Sequence, residues 1–509
     1  MPEPIPTRPR HPVATPLRTV CGWLGEDLAE VVAADTETKV RGLTISSQRV
    51  LPGDLYVAPA GARSHGAQYA AQAVAAGAVA VLTDPDGAEL CRGLPVPVLV
   101  VRQPRAVVGA LAAKIYGDPA HRLRLVAVTG TQGKTTTTRL AEGALTAAGT
   151  RTAVIGTVGT RINGVDVASS LTTPEAPDLH ALFAVMVEEQ VQACAMEVSS
   201  HALVMGRVDG VVFDVACFTN LGRDHLDFHA DEEEYYAAKA SLFTPARARL
   251  GLVNIDDEHG RRLVAEAPIP VRTYSVTGSE ADWWAEDVDV RPEGSTFTVH
   301  TPGGMAFPAS VPLTGGYNVS NALCAIAALA EAGYDPRQVA AGMTASGGVP
   351  GRLERVDAGQ GFLAVVDYAH KPDAVQAALA ALRPQTAGRL LVVLGAGGER
   401  DTGKRPLMGE TAARLADVLV VTDDNPRGEE PAGIRAAVLA GVARIPDAER
   451  AEVHEVGDRR EAIRLAVRMA RDGDVLVVAG KGHETGQEVR GTVRPFDDRA
   501  VLREELDAR

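Results

Sequence analysis

Leu125-Val-Ala-Val-Thr-Gly-Thr-Gln-Gly-Lys-Thr-Thr-Thr137 is an apolar run that breaks on two glycines and continues as a threonine-rich segment. A buried strand, a glycine loop and a helix opening at the lysine make the unit in which backbone N–H groups at a helix N-terminus meet phosphate. Gly130 and Gly133 allow close backbone approach, Lys134 supplies a point charge and Thr135 offers a hydroxyl to Mg²⁺. Val128 stands where the full G-x-x-x-x-G-K-[ST] pattern has its first glycine, so the motif is a shortened Gly-x-x-Gly-Lys-Thr. The stretch predicts an α/β protein with a parallel sheet and a phosphate-binding loop at a strand's carboxyl end.

Upstream, short apolar runs at Asp54–Ala58, Ala78–Leu82 and Val96–Val101 alternate with an alanine-rich helical stretch from Tyr69 to Ala76, a small α/β unit. A helical segment, Arg105 to Tyr116, leads into the quoted strand. Downstream, strands are expected at Thr152–Ile155, Ala193–Glu197, Val211–Phe218 and Leu252–Ile255. Ser346-Gly-Gly-Val-Pro-Gly351 is a cluster of turn formers, and beyond it Leu363–Asp367, Leu390–Leu394, Val418–Thr422 and Val475–Ala479 read as strands of another parallel α/β domain. The expectation is three domains: a P-loop ATPase-like parallel sheet at the centre over residues 104–350, an α/β domain over 21–103 before it and a Rossmann-like domain over 351–509 after it. Residues 1–20, with six prolines and three arginines, are expected to be a flexible extension without the apolar segment of a signal peptide.

The 509 residues carry 51 basic against 65 acidic side chains, a net charge of −14. That balance argues against holding nucleic acid or lipid by bulk electrostatics, so any anionic ligand needs a local site. No apolar run reaches membrane-spanning length, and membrane insertion is not expected. Cys21, Cys91, Cys194, Cys217 and Cys324 are scattered without a CxxC pair and read as buried thiols of a reducing cytoplasm. Only seven of the basic residues are lysines: Lys39, Lys114, Lys134, Lys239, Lys371, Lys404 and Lys481. A GC-rich genome explains the shortage in general but not why these positions keep lysine.

Several further segments carry chemistry. Met196-Glu-Val-Ser-Ser-His201 sets a carboxylate at the end of an apolar strand, and Asn220-Leu-Gly-Arg-Asp-His-Leu-Asp227 and Tyr235-Tyr-Ala-Ala-Lys239 follow. Glu197 can offer Mg²⁺ an oxygen ligand and His225 can also ligate, although singly Glu197 reads equally as a helix cap and His225 as a loop histidine. Gly315-Gly-Tyr-Asn-Val-Ser-Asn321 opens an alanine-rich helix in which Asn321, taken alone, reads as an N-cap. Gly351-Arg-Leu-Glu354 puts an arginine just after the domain break, and Asp367-Tyr-Ala-His-Lys-Pro-Asp373 puts Asp367 at a strand's carboxyl end.

The phosphate loop and the motifs at Glu197–His201, Asn220–Asp227, Gly315–Asn321, Gly351–Glu354 and Asp367–Pro372, six in this order and this three-domain setting, resemble the Mur ligases from about residue 40 onward. The third domain narrows the resemblance. Gly395-Ala-Gly-Gly-Glu-Arg-Asp-Thr-Gly-Lys-Arg405, Asp423-Asp-Asn-Pro-Arg427 and Gly480-Lys-Gly-His-Glu484 are similar to the member that adds the third peptide residue, with Asp-Asn-Pro-Arg the pattern associated with diaminopimelate rather than lysine. The resemblance implies a monomeric cytoplasmic ligase of peptidoglycan precursor synthesis that uses ATP and Mg²⁺ to join diaminopimelate to UDP-N-acetylmuramoyl-L-alanyl-D-glutamate. It implies that Gly130, Thr131, Gln132, Gly133, Lys134, Thr135 and Thr136, with Asn318, Asn321, Arg352 and Asp367, bind ATP. Thr135, Glu197, His225 and Lys239, the last as the carbamate N6-carboxylysine, would hold metal, and Lys134, Glu197, His225 and Lys239 form the catalytic set. Ser47, Thr172, Thr173, Ser199 and Arg207 match precursor contacts, while Arg400, Asp424, Asn425, Pro426, Arg427, Gly480 and Glu484 match the diaminopimelate site. The chemistry agrees: the distal carboxylate of diaminopimelate suits bidentate Arg427, and its ammonium suits Glu484. Ser46, Gln48, Ala62 to Ser64, Leu171 and Met205 depart from the family's usual polar contacts. Two alternatives share the central loop: a folylpolyglutamate synthetase-like ligase, and a non-catalytic nucleotide-gated binding protein.

Overall fold

The computed structural model describes residues 5–32, 37–61, 64–169, 171–225, 228–399 and 401–509, and is mixed α/β throughout. The chain falls into two compact units, residues 1–274 with 324–339, and 275–323 with 340–509.

In the first unit a five-stranded sheet runs in the order Leu28–Val32, Val98–Val101, Ala80–Thr83, Asp54–Ala58, Gly42–Thr44, parallel except for the first strand. One face packs on Val108, Leu111 and Ile115 of the helix Pro104–Ile115 and on Leu17, Val20 and Leu24 of the helix Leu17–Leu24. The flexible extension expected over 1–20 therefore needs correction from Arg8 onward. Leu17 and Val20 are fully buried, and upstream Arg8 reaches the Asp54 carboxylate and the Tyr116 hydroxyl while the backbone N–H of Arg10 donates to Glu188. Apolar residues at positions 17, 20 and 24 give one helical face a core to bury, and the prolines around them do not prevent it. Of the cysteines, four are buried as expected and Cys21 is only partly so.

The second sheet of this unit carries the quoted strand, now Arg124–Thr129, at its centre. It lies between the parallel strands Ala193–Glu197 and Phe213–Phe218, with Thr152–Gly156 outside the one and Ala248–Asn254 outside the other. Continuous apolar runs are what a strand buried on both faces requires. The register sets Glu197 beside Val128 and Phe218 beside Thr129, so the carboxyl ends of three neighbouring strands open at one place. Beneath the sheet His180 is fully buried on the helix Ala176–Glu188, its Nε2–H donating to the Asp209 carbonyl at 3.1 Å while Nδ1 has no hydrogen-bond partner among the described residues.

Burial pulls the His180 pKa down to about 4. The unfolded chain therefore takes up a proton near pH 6.5 that the folded chain refuses. The destabilisation is absent above pH 6.5 and grows as the pH falls toward about 4. In urea melts, the native protein should lose about 2 kcal/mol more than His180→Leu between pH 7.5 and pH 5. Equal pH dependence of the two proteins refutes the assignment.

The second unit begins with an antiparallel meander, Trp283–Arg291, Gly294–His300 and Ala306–Val311, which the sequence reading did not anticipate. Its strands alternate buried and exposed residues and carry charges on the outer face, unlike the apolar runs that mark parallel strands. The unit's larger sheet runs Glu354–Arg355, Leu363–Asp367, Val475–Ala479, Leu390–Leu394, Val418–Val421, Glu452–Glu455, parallel except for the first strand. Separate apolar clusters cover its two faces, one built on Leu379, Met408 and Val438 and the other on Ile463, Val467 and Leu502, as in a doubly wound Rossmann-like sheet. The strand order sets the carboxyl ends at Asp367, Ala479, Leu394 and Val421 in one row, where ligands sit in such sheets. Among the described residues no helix is long and apolar enough to cross a membrane.

Candidate active site

In the first unit, Gly130 has φ +146°, and a Cβ there would collide with the Thr219 hydroxyl, so only glycine lets the loop turn at this point. The chain that leaves Phe218 clamps the loop. Thr219 Oγ1 donates to Gln132 O at 2.6 Å, Gln132 N–H donates to Asn220 Oδ1 at 2.9 Å, and Gly222 N–H donates to Thr131 Oγ1 at 2.9 Å. Thr131 Oγ1 also lies 3.1 Å from the Tyr235 hydroxyl. The helix Lys134–Ala147 then starts with Thr135 and Thr136 buried in its first turn. Two ammonium groups converge on one carbonyl: Lys134 Nζ donates to Gly130 O at 2.7 Å and to Thr131 O at 3.1 Å, and Lys239 Nζ donates to Gly130 O at 2.9 Å. Lys239, on the helix Glu232–Ala240, is 1% exposed and lies 4.4 Å from the Tyr235 ring centroid.

Glu197 is not a helix cap. Its Oε1 accepts from Thr157 N–H at 2.8 Å and its Oε2 from the Thr157 hydroxyl at 3.1 Å, while Ser199 caps the helix Ser200–Val204 by accepting from Ala202 N–H. Thr172 Oγ1 lies 3.2 Å from Thr157 Oγ1, and Thr173 Oγ1 donates to Glu197 O at 2.9 Å. Arg207 pairs with Glu175 at 2.9 Å and donates to Thr173 O. Thr172, Thr173, Ser199 and Arg207 are thus gathered around the Glu197 end of its strand. Met205 Sδ accepts from Arg207 Nη2 at 3.3 Å, and Leu171 is exposed. His225 adopts φ +54°, sets Nε2 3.1 Å from Asp224 Oδ2 and meets the His201 ring edge-on at 4.7 Å. Ser47 is half-buried after the strand Gly42–Thr44, two residues before Arg49, which donates to Asp178 at 2.8 Å. Ala62 and Arg63 fall outside the described residues.

In the second unit, Asn318 and Asn321 lie within the helix Gly316–Glu331, so Asn321 is not its N-cap. Asn318 Nδ2 donates to Thr314 O, and Asn321 Nδ2 donates to Asn318 Oδ1 at 3.2 Å. Asp367 accepts from the backbone N–H groups of Leu353 and Ala369, both at 2.8 Å. Burial raises its pKa and the Arg352 charge opposes the rise; Arg352 itself lies over the Tyr368 ring.

Around the ends of the Val418 and Val475 strands, Asn425 Nδ2 donates to Glu484 Oε2 at 2.8 Å and the Tyr368 hydroxyl donates to Glu484 Oε1 at 3.4 Å. Gly480 has φ +117°, and a Cβ there would press on Asp424 Oδ2 at 2.7 Å. Arg427, at φ +53°, donates from Nη1 to Gly398 O at 2.6 Å and from its backbone N–H to Glu488 O at 3.0 Å. Asp424, Asn425, Arg427, Gly480 and Glu484 are therefore neighbours although they come from two segments over fifty residues apart. Arg400 falls outside the described residues.

Family models for the Mur ligase catalytic domain, the Mur ligase middle domain and the Mur ligase glutamate ligase domain match residues 39–116, 128–329 and 351–482. The chain belongs to the Mur ligase family. It has the three-domain fold of Mur ligases and is an ATP-dependent ligase. The chain is 55% identical, over 99% of both chains, to the UDP-N-acetylmuramoyl-L-alanyl-D-glutamate–2,6-diaminopimelate ligase of Streptomyces avermitilis. It is 47% identical, again over 99% of both, to the UDP-N-acetylmuramyl-tripeptide synthetase of Leifsonia xyli. A solved structure of a UDP-N-acetylmuramoyl-L-alanyl-D-glutamate–2,6-diaminopimelate ligase superposes with a TM-score of 0.70 at 32% identity, covering 97% of this chain and 99% of the other. The folylpolyglutamate synthase of Mycobacterium tuberculosis complexed with ADP shares the fold at 19% identity and a TM-score of 0.60, over 74% of this chain.

Some residues of this Mur ligase's site were not singled out from sequence. Thr157 and Thr219 lie outside the quoted motifs, and only the fold shows that they hold Glu197 and the phosphate loop. Lys481 had a signal, being one of only seven lysines, and the structure shows it fully buried beside Asn425 and Glu484.

Proposed function

We propose that this Mur ligase joins diaminopimelate to UDP-N-acetylmuramoyl-L-alanyl-D-glutamate, in the cytoplasm and as a monomer, through an acyl phosphate. Its domains for precursor, ATP and incoming amino acid would be residues 21–103, 104–350 and 351–509. The observation that carries the choice of amino acid is the constellation of Arg427, a cation held by backbone on both sides, with the carboxylates of Asp424 and Glu484. Diaminopimelate ends in a carboxylate and an ammonium; lysine has only the ammonium, which leaves Arg427 with no anion but the Glu488 carboxylate, 3.7 Å from its Nε. The relatives' names point to the same substrate.

Making an amide from a carboxylate needs a better leaving group than oxide. The terminal D-glutamate carboxylate attacks the γ-phosphorus of ATP, giving the acyl phosphate and ADP, and Lys134 stabilises the charge on the transferring group. The neutral amine of diaminopimelate then attacks the acyl carbon, and the tetrahedral intermediate collapses with loss of phosphate and a proton. No side chain acts as nucleophile. Asn318, Asn321, Arg352 and Asp367 are assigned to ATP, and Ser47, Thr172, Thr173, Ser199 and Arg207 to the precursor.

Mg²⁺ fits the donors in place: Glu197 is a fully buried carboxylate at the carboxyl end of a strand next to the phosphate loop, and Thr135 opens that loop's helix. Thr135, Glu197, His225 and Lys239 as its carbamate would hold the metal, which when bound supplies positive charge to the phosphates. Carbamylation turns Lys239 from a hydrogen-bond donor to Gly130 O into an oxygen ligand, a change unavailable to arginine.

Phosphate release by the purified protein should require ATP, precursor and amino acid together, with LL- or meso-diaminopimelate far ahead of L-lysine. Release without precursor at the same rate excludes coupled ligation, and L-lysine as the best substrate excludes the assignment of Arg427.

A further inference from the structure

Lys481 is fully buried, and its ammonium faces three side chains: Asn425 Oδ1 at 3.0 Å, Glu484 Oε2 at 3.3 Å and Asp424 Oδ1 at 3.6 Å. An ammonium donates and never accepts, so it fixes which end of the Asn425 amide it meets. The Asn425 oxygen also takes the backbone N–H of Glu488 at 3.0 Å, leaving the amide nitrogen to donate to Glu484 at 2.8 Å. Glu484 Oε2 is thereby held by Lys481 directly and by the Asn425 amide that Lys481 orders, while Oε1 takes the Tyr368 hydroxyl.

The charges are not balanced within this group. Among the described residues one ammonium stands against two carboxylates, and Asp424 Oδ1, on a residue only 5% exposed, accepts no hydrogen bond from any of them. The nearby guanidinium of Arg459 is matched by Asp498 at 2.6 Å, both side chains being wholly buried. Buried charges are stable when paired, so the group as it stands accepts one further cation. A compact three-donor ammonium suits a position with three acceptors in different directions, whereas a planar guanidinium does not.

We propose that Lys481 is a positioning residue for the incoming amino acid. It orients Asn425 and Glu484 and cancels one of the two carboxylate charges, so that the pocket takes a single ammonium beside the carboxylate bound by Arg427. This rests on the diaminopimelate reading above.

The test is a double-mutant cycle on the full-length protein, with Lys481→Met, Glu484→Gln and the double variant assayed by phosphate release. Lys481→Met should raise the KM for diaminopimelate about tenfold or more while leaving the KM for ATP and for the precursor within about twofold. If Lys481 acts through Glu484, the double variant should be little worse than Glu484→Gln alone. Multiplying effects, an unchanged diaminopimelate KM in Lys481→Met, or equal losses for all three substrates would each overturn the proposal. If Lys481→Met does not fold, Lys481→Gln, which keeps a donor for Asn425 without the charge, enters the same cycle under the same criteria. If Glu484→Gln itself leaves the diaminopimelate KM unchanged, the reading of the pocket fails, and the proposal fails with it.

Discussion

Lys134→Ala should lower the rate of precursor-dependent phosphate release about a thousandfold, equivalent to about 4 kcal/mol of transition-state stabilisation. The ammonium is held at 2.7 Å from Gly130 O and 3.1 Å from Thr131 O, so its position over the loop is set before any phosphate arrives. Preorganised charge is worth more than charge that must be reoriented, because no reorganisation is needed as the phosphoryl group moves. The loop itself should survive the change, since Thr219, Asn220 and Gly222 clamp Thr131 and Gln132 independently of the lysine. An unchanged melting temperature with the rate lost is the expected pair of results. A rate within tenfold of the native protein's would remove Lys134 from the chemistry. Arginine should not rescue it: a guanidinium is too broad to meet both carbonyls from the first turn of the helix.

The second large effect is on the amino acid. Arg427→Ala should cut kcat/KM for diaminopimelate about a hundredfold or more, the loss expected when one partner of a buried, hydrogen-bonded charge pair is removed. Activity with L-lysine, already low, should hardly fall, because lysine brings no carboxylate to this residue. The comparison between the two amino acids is the decisive readout, since a general defect in folding or ATP use would lower both. Arg427→Lys should resemble the alanine variant. The backbone at Arg427 is pinned by Glu488 and Arg490, so the shorter reach and single charge of lysine cannot be compensated by moving the chain. Equal losses with both amino acids would assign Arg427 to structure.

Strands built on an unbroken apolar run were readable without a structure. Asp54–Ala58, Ala193–Glu197, Leu363–Asp367, Leu390–Leu394 and Val475–Ala479 lie where their sequences place them, because a strand buried on both faces is a continuous apolar run, with Asp54, Glu197 and Asp367 marking limits rather than interrupting it. The Trp283–Val311 meander was missed for the opposite reason: its half-exposed strands mix charged and aromatic residues in a pattern that loops also show. The helix Leu17–Leu24 was missed because the prolines around it dominate the composition, whereas its burial depends on a sheet formed by residues well downstream.

What residue order determines here is the chemistry that is local in the chain: a glycine loop between strand and helix, a carboxylate ending a strand, an Asp-Asn-Pro-Arg turn. Those follow from backbone geometry and side-chain type over a few residues, and they suffice to identify the family. Tertiary structure alone decides how distant segments share a charge or a hydrogen bond. Gly130 O receives Lys239 from more than a hundred residues away, Glu197 is held by Thr157, and Lys481 is buried among Asp424, Asn425 and Glu484. Such pairings depend on which strands lie side by side, and that order is set by the packing of the whole sheet, which no local stretch encodes.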